Sequence, residues 1–184
     1  ALVYDFAPGR SRNPVSVIAA YAEISRALGL PLDYPGSQDS YRALIEGVAA
    51  SHLATAAVWI ATTDACANQA YNVTNGDCFR WEGIWPKIAE YFQLPVGRPR
   101  CLSLAKTMSD KESVWEDIVR RHDLVKTDLS DLALWSFADF LFGSDWDLCS
   151  STTKLRQAGF TDMVDTEAMI FKLFDFYRSK KIIA

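Results

Sequence analysis

Apolar residues recur at helical spacing after Asn13-Pro14, where Val17, Ile18, Tyr21, Ile24 and Leu28 fall on one side of a helix. Asn13 supplies a capping side chain, Pro14 sits where no intrahelical donor is lost, and Gly29 stops the helix before Pro31. "LPLDYPG" then reads as a short extended segment that turns at Pro35-Gly36. From Tyr41 the pattern fits strand followed by helix, with Ser51 as the cap of a helix through "HLATAAVWIATT". Residues 70–74 are rich in aromatic and β-branched types and predict another strand. Asn75-Gly76 turns the chain, and Asp77 is placed to cap the helix that follows.

On that helix Trp81, Ile84, Trp85, Ile88 and Phe92 share one face, and Pro86 either kinks it or marks a later start. After the link "PVGRPR" the pattern predicts a helical pair from Leu102 to His122 and another helix near Leu132 to Leu141. "SDWDLCSSTTKLRQAGF" reads as a short strand, a Ser or Thr cap and a helix closed at Gly159. Asp165 caps a last amphipathic helix through Met169, Ile170, Leu173, Phe174 and Tyr177. The fold class is therefore α/β, mostly helical with a few short strands, in a single domain over residues 1–184.

Composition narrows the function. With 49% hydrophobic and 23% charged residues, 184 residues suffice for one sizeable core, and six Trp, seven Tyr and ten Phe must fill it or line an apolar pocket. A net charge of -4 argues against nucleic acid or an anionic membrane as partner. The stretch Gly47 to Ala61 is too short to span a bilayer, and no secretory signal opens the chain, so a cytoplasmic protein is expected. Cys66, Cys78, Cys101 and Cys149 have no C-x-x-C spacing, and His52 and His122 are the two histidines; the expectation is buried free thiols and no metal.

Candidate chemistry is sparse. The Asn75-Gly76-Asp77 corner has the shape of an anion site, but the Asp77 carboxylate would occupy the amides that a phosphate needs. No G-x-G-x-x-G run follows, so a dinucleotide loop is not expected. Gly9 to Asn13 lacks the second glycine of a nucleophile elbow, and Tyr177 with Lys181 matches a Y-x-x-x-K pair in two residues at the chain's end. The aromatic run "WSFADFLFGSDW" places Trp135, Phe137, Phe140, Phe142 and Trp146 too widely around a helix for one narrow stripe. Core packing and the lining of an apolar site both remain open for it.

"YNVTNGDCFRWEGIWPKIAEYFQLP", with "SSTTKLRQAGF", "DTEAM" and the terminal "RSKKIIA", resembles the C-terminal part of extended, atypical short-chain dehydrogenases/reductases of the progesterone 5β-reductase and iridoid synthase-like group. The resemblance implies a substrate-binding region without the main Rossmann half. NADP(H) serves the full-length family, and no cofactor is expected for this chain alone, because the glycine-rich loop and the catalytic Tyr and Lys would precede Ala1. It implies a small apolar molecule as ligand, with Phe137, Phe140 and Phe142 on the substrate side. It also implies exposed apolar surface at Trp81, Trp85 and the first helix, and hence a homo-oligomer or a missing N-terminal half. The alternatives are a stand-alone apolar-ligand binding module, or a remnant with a new hydrolytic activity drawing on Ser11, His52 and His122.

Overall fold

The computed structural model describes residues 2–184. It opens on strand β1 (Leu2–Tyr4), helix α1 (Pro14–Ala27), strand β2 (Leu32–Tyr34) and helix α2 (Gln38–Arg42). Strand β3 (Gly47–Ala49) runs directly into α3 (Ala50–Thr62), and a 3-10 turn (Asp64–Cys66) leads by an extended segment to α4 (Trp81–Tyr91) and β4 (Val96–Pro99). Six helices complete the chain: α5 (Leu104–Thr107), α6 (Glu112–Arg121), α7 (Leu129–Leu132), α8 (Trp135–Phe142), α9 (Thr153–Gln157) and α10 (Thr166–Ser179). The strands form two parallel pairs, β1 with β3 and β2 with β4. The expected mostly helical architecture is what folds.

α1 is the axis of the core. Asn13 caps it, its Oδ1 accepting from the Val15 amide at 2.9 Å, and every residue from Pro14 to Ser25 is buried. Helices α6, α7, α8 and α10 and strands β1 and β2 surround it. Beside it Tyr34, Trp81, Trp85 and Phe142 pack together, with ring centroids 5.2 to 5.4 Å apart for the edge-on pairs Tyr34–Trp85 and Trp85–Phe142 and the tilted pair Trp81–Phe142. The Trp85 indole N–H donates to the Leu32 carbonyl at 3.0 Å, so this aromatic nest also fixes β2.

This packing corrects the surface expected at Trp81, Trp85 and α1: both indoles are 0% exposed, and α1 is enclosed on all sides. Exposed apolar side chains lie elsewhere, among them on α3, where Val58 is 65% exposed and Ala54, Ala57 and Ala61 share its outer side. α3 is held by a small satellite cluster of Ala56, Leu155 and Phe160 rather than by the main core.

Local expectations fare unevenly. The caps at Asn13 and Asp165 form as read, Asp165 Oδ1 accepting from the Ala168 amide at 2.9 Å. Ser51 caps nothing, because α3 starts straight out of β3 with Ala49 at the cap position. Residues 70–74 are extended but are not a strand, and neither are the residues before α9. Tyr71 and Val73 lie against the satellite cluster, and the segment joins β3 only at its end, where the Asn75 amide donates to Gly47 O and Asn75 Oδ1 accepts from the Ala49 amide, both at 2.8 Å. Pro86 lies inside α4, which begins five residues earlier at Trp81. Gly47 has a steric reason: a Cβ there would lie 2.7 Å from the Tyr4 ring across the β1–β3 pair.

Candidate functional site

A pocket of about 470 Å³ opens between the Leu2 end of β1, residues 45–46, the C-terminal end of α8 and residues 144–150. Consecutive helical residues are about 100° apart, so positions 140 and 142 point to nearly opposite sides. The fold sends Phe142 into the core, 2% exposed, and leaves Phe140 at the pocket mouth, 67% exposed. Phe137 is half-buried, its ring 6.5 Å from that of Phe140. Of the three predicted substrate-side residues, Phe140 lines this pocket and Phe142 sets the helix behind it.

Polar side chains hold the pocket walls. Asp139 ties α8 to the start of α5, its carboxylate accepting from Ser103 Oγ at 2.8 Å and from the Leu104 amide at 2.6 Å. Across the opening, the Leu44 amide donates to Asp147 Oδ1 at 2.7 Å and the Leu148 amide to Leu44 O at 2.8 Å. Ser150 donates through both its amide and its hydroxyl to Glu46, the latter at 2.6 Å. Burial opposes ionisation of Glu46, but these Ser150 bonds help hold its carboxyl below the usual carboxylate range. Asp139, Asp147 and Glu46 escaped the sequence reading because each partner lies at least 35 residues away in the chain.

The cysteines depart from expectation. Cys66 is buried, but Cys78, Cys101 and Cys149 are exposed. Cys149, in the pocket wall, lies with its Sγ 2.7 Å from that of Cys78. With Glu46 they form a cluster of potential ligand atoms within 4.8 Å of one another, which spacing along the chain did not reveal.

A larger groove of about 790 Å³ lies between the Tyr4 end of β1, the start of α3 and α10, lined by Tyr4, Phe6, Ala49, Ala50, Met169 and Phe176 among others. The Tyr4 hydroxyl is buried there without a hydrogen-bond partner, and burial raises its pKa.

The Asn75-Gly76-Asp77 corner does not fit a pyrophosphate. Asp77 does not cap α4; its carboxylate accepts from the Thr166 amide at 2.9 Å and from the Thr166 hydroxyl, capping α10. A Cβ on Gly76 would lie 2.9 Å from the Arg156 guanidinium, so side chains already fill the space beside the turn.

Tyr177 and Lys181 do not act as a pair. The Tyr177 hydroxyl accepts from the Ala7 amide at 3.1 Å and from Asn13 Nδ2 at 3.2 Å, whereas Lys181 Nζ donates to Asp123 at 2.6 Å. Ser11, His52 and His122 stand on separate elements: in the loop before α1, on α3 against Phe160, and at the end of α6. Among the described residues no hydrogen bond joins any two of the three, so no nucleophile–base arrangement forms. No helix among them is long and apolar enough to cross a membrane.

No family model matches the chain. Curated relatives do. An (S)-8-oxocitronellyl enol synthase of Antirrhinum majus is 36% identical over 187 residues, covering 100% of this chain and 48% of the relative. A short chain dehydrogenase of Penicillium aethiopicum is 31% identical over 93% of this chain and 49% of its own length. A 3-oxo-Δ(4,5)-steroid 5-beta-reductase of Arabidopsis thaliana is 28% identical over 99% of this chain and 47% of its own. The chain belongs to the progesterone 5β-reductase and iridoid synthase-like family of short-chain dehydrogenases/reductases. It spans about half the length of the curated relatives it matches.

Proposed function

We propose that the chain is the substrate-facing half of an NADP(H)-dependent reductase of enones or related carbonyl compounds, and that another part of the whole protein holds the cofactor. The observation that carries this reading is Phe140, an aromatic ring kept out of the core at the mouth of a pocket beside β1. It occurs in a chain aligned along its length with half of the 8-oxocitronellyl enol synthases. The ligand is a small apolar molecule. Phe140, Leu141 and Leu148 offer it contact area and keep water from it, and Phe137 supports the Phe140 ring from the same helix.

The β1–β3 pair supports a second half. Parallel strands are ordinarily buried on both faces within larger sheets, and a pair of three-residue strands is too small to stand as one. Val3, 47% exposed on β1, marks the open side. NADP(H) when bound supplies the hydride. Side chains fill the Asn75-Gly76-Asp77 corner, so this chain offers no room for a pyrophosphate there. Self-association draws on Val58 of α3 and Val3 of β1 instead of Trp81 and Trp85.

The test is an NADPH titration, followed by tryptophan fluorescence, of this chain and of the same chain in its longer reading frame. The isolated chain is expected not to bind and the longer protein to bind and to reduce an enone. Micromolar affinity in the isolated chain would overturn the division of labour. A clean monomer at micromolar concentration on a sizing column would remove the self-association.

A further inference from the structure

Cys78 and Cys149 stand 71 positions apart in the chain, and the fold brings their sulfurs to 2.7 Å. Hydrogen bonds on both sides set this approach, because the residue after each cysteine is bonded to one short segment. Phe79 exchanges two backbone hydrogen bonds with Ile45, each 2.8 Å. Ser150 donates to Glu46, and Leu148 on the other side of Cys149 donates to Leu44. Residues 44–46 thus hold both cysteine-bearing segments in place. Both thiols are exposed, within reach of a soluble reactant.

Glu46 completes a set of potential metal ligands, but the geometry favours another use. Two thiolates on one tetrahedral zinc ion, each about 2.3 Å from it, hold their sulfurs about 3.8 Å apart. The Cys78 and Cys149 sulfurs are much closer, and the Glu46 carboxylate already accepts two bonds from Ser150.

We propose that Cys78 and Cys149 are a redox modification site, joined reversibly as a disulfide by exchange with a small-molecule disulfide of the oxidised-glutathione kind. The inference does not depend on the reductase reading. Partial burial, the hydrogen bond that Cys78 shares with Cys149 and the charges of Cys149, Glu46 and Asp77 push the Cys78 thiol up to about 12. One of the two thiols loses its proton to solvent, bonds to one sulfur of the small disulfide and expels the other as a thiolate. Its partner then loses its proton to solvent and attacks the protein sulfur of that mixed disulfide, expelling the second small thiolate. Two protein thiols are oxidised by two electrons, and one small disulfide is reduced to two thiols. The crosslink joins residues 144–150, a wall of the Phe140 pocket, to the corner whose Asp77 caps α10.

The protein is incubated with excess oxidised glutathione, its remaining thiols are blocked with N-ethylmaleimide in acid, and it is digested without reduction by chymotrypsin, which cuts at Tyr71 between Cys66 and Cys78. The expected product is a reducible peptide pair linking Cys78 to Cys149. It disappears in Cys149→Ser and persists in Cys101→Ser. Intact mass before blocking gives a second check: oxidised Cys101→Ser protein loses two hydrogens and gains no glutathione. In the crosslinked form the Ser150 amide exchanges severalfold more slowly. Glutathione adducts on Cys78 or Cys149 without the crosslink would overturn the proposal, as would dimers linked through Cys78 or Cys149. So would one equivalent of zinc that, added alone beforehand, protects both thiols from oxidation.

Discussion

Asp77 caps a helix that begins 89 residues further along the chain, accepting from the backbone amide of Thr166 at 2.9 Å. The buried Thr166 hydroxyl meets the same carboxylate and also accepts from Asn75 Nδ2 at 2.9 Å. Since Asn75 in turn closes the end of β3, this corner is the joint between the β1–β3 pair and α10. Asp77→Ala therefore removes a cap and leaves a buried amide unpaired. The expected loss is about 2–3 kcal/mol, the sum of a typical cap and an unsatisfied buried group. Urea denaturation measures it, and a loss under about 0.5 kcal/mol, the scatter of ordinary surface substitutions, would show that the joint does not depend on this carboxylate.

Phe140 and Phe142 divide exposure from packing on one helix. Phe142→Ala opens a cavity in the nest of Tyr34, Trp81 and Trp85 and is expected to cost about 3–5 kcal/mol. Phe140→Ala is expected to change stability by under about 0.5 kcal/mol, as for an exposed side chain, while weakening a bound apolar probe severalfold. Unchanged probe affinity in Phe140→Ala would take that ring out of the site.

Glu23 gives stability a pH dependence of predictable sign. Burial raises its carboxyl from 4.5 to about 7, although Arg26 and Arg178 act in the opposite direction. The folded protein then holds a proton that the unfolded chain has already released, so this contribution is complete below pH 4.5 and is lost as pH rises through about 7. The loss is about 3 kcal/mol at most, from about 1.4 kcal/mol per pKa unit. Glu23→Gln is expected to flatten the decline of the urea midpoint between pH 5 and pH 8. An equal slope in both proteins would assign the dependence to other groups.

Tyr177 secures the loop before α1 from the far end of the chain. Tyr177→Phe leaves the Ala7 amide and the Asn13 side chain short of an acceptor, at an expected cost of about 1–3 kcal/mol. Amide exchange at Ala7 should quicken while that of α10 stays slow. Uniform loss of protection would mean that the hydroxyl supports the whole fold and not this loop.

What could be read in advance was local. Asn13-Pro14 and Asp165 announce their helices because a cap and the amides it serves lie within three residues. Residues 70–74 misled because aromatic and β-branched side chains suit any half-buried extended segment, whether or not a neighbouring strand takes up its backbone. Asp77 reads as the cap of the nearer helix, and no local signal distinguishes α4 from α10. The aromatic run of α8 contained both a core residue and a pocket residue, and only the packing of Trp81 and Trp85 divides them. The meeting of Cys78 with Cys149 depends on pairings to residues 44–46 that no spacing encodes.

The enclosure of α1 bears on how the molecule comes apart. A helix walled in by four others and two strands has no frayed side through which solvent can enter. Deuterium should reach the amides from Val17 to Ile24 only when the entire tertiary structure opens, making α1 an internal clock for global unfolding. The outlying α3, by contrast, can release its protons while that clock stands still.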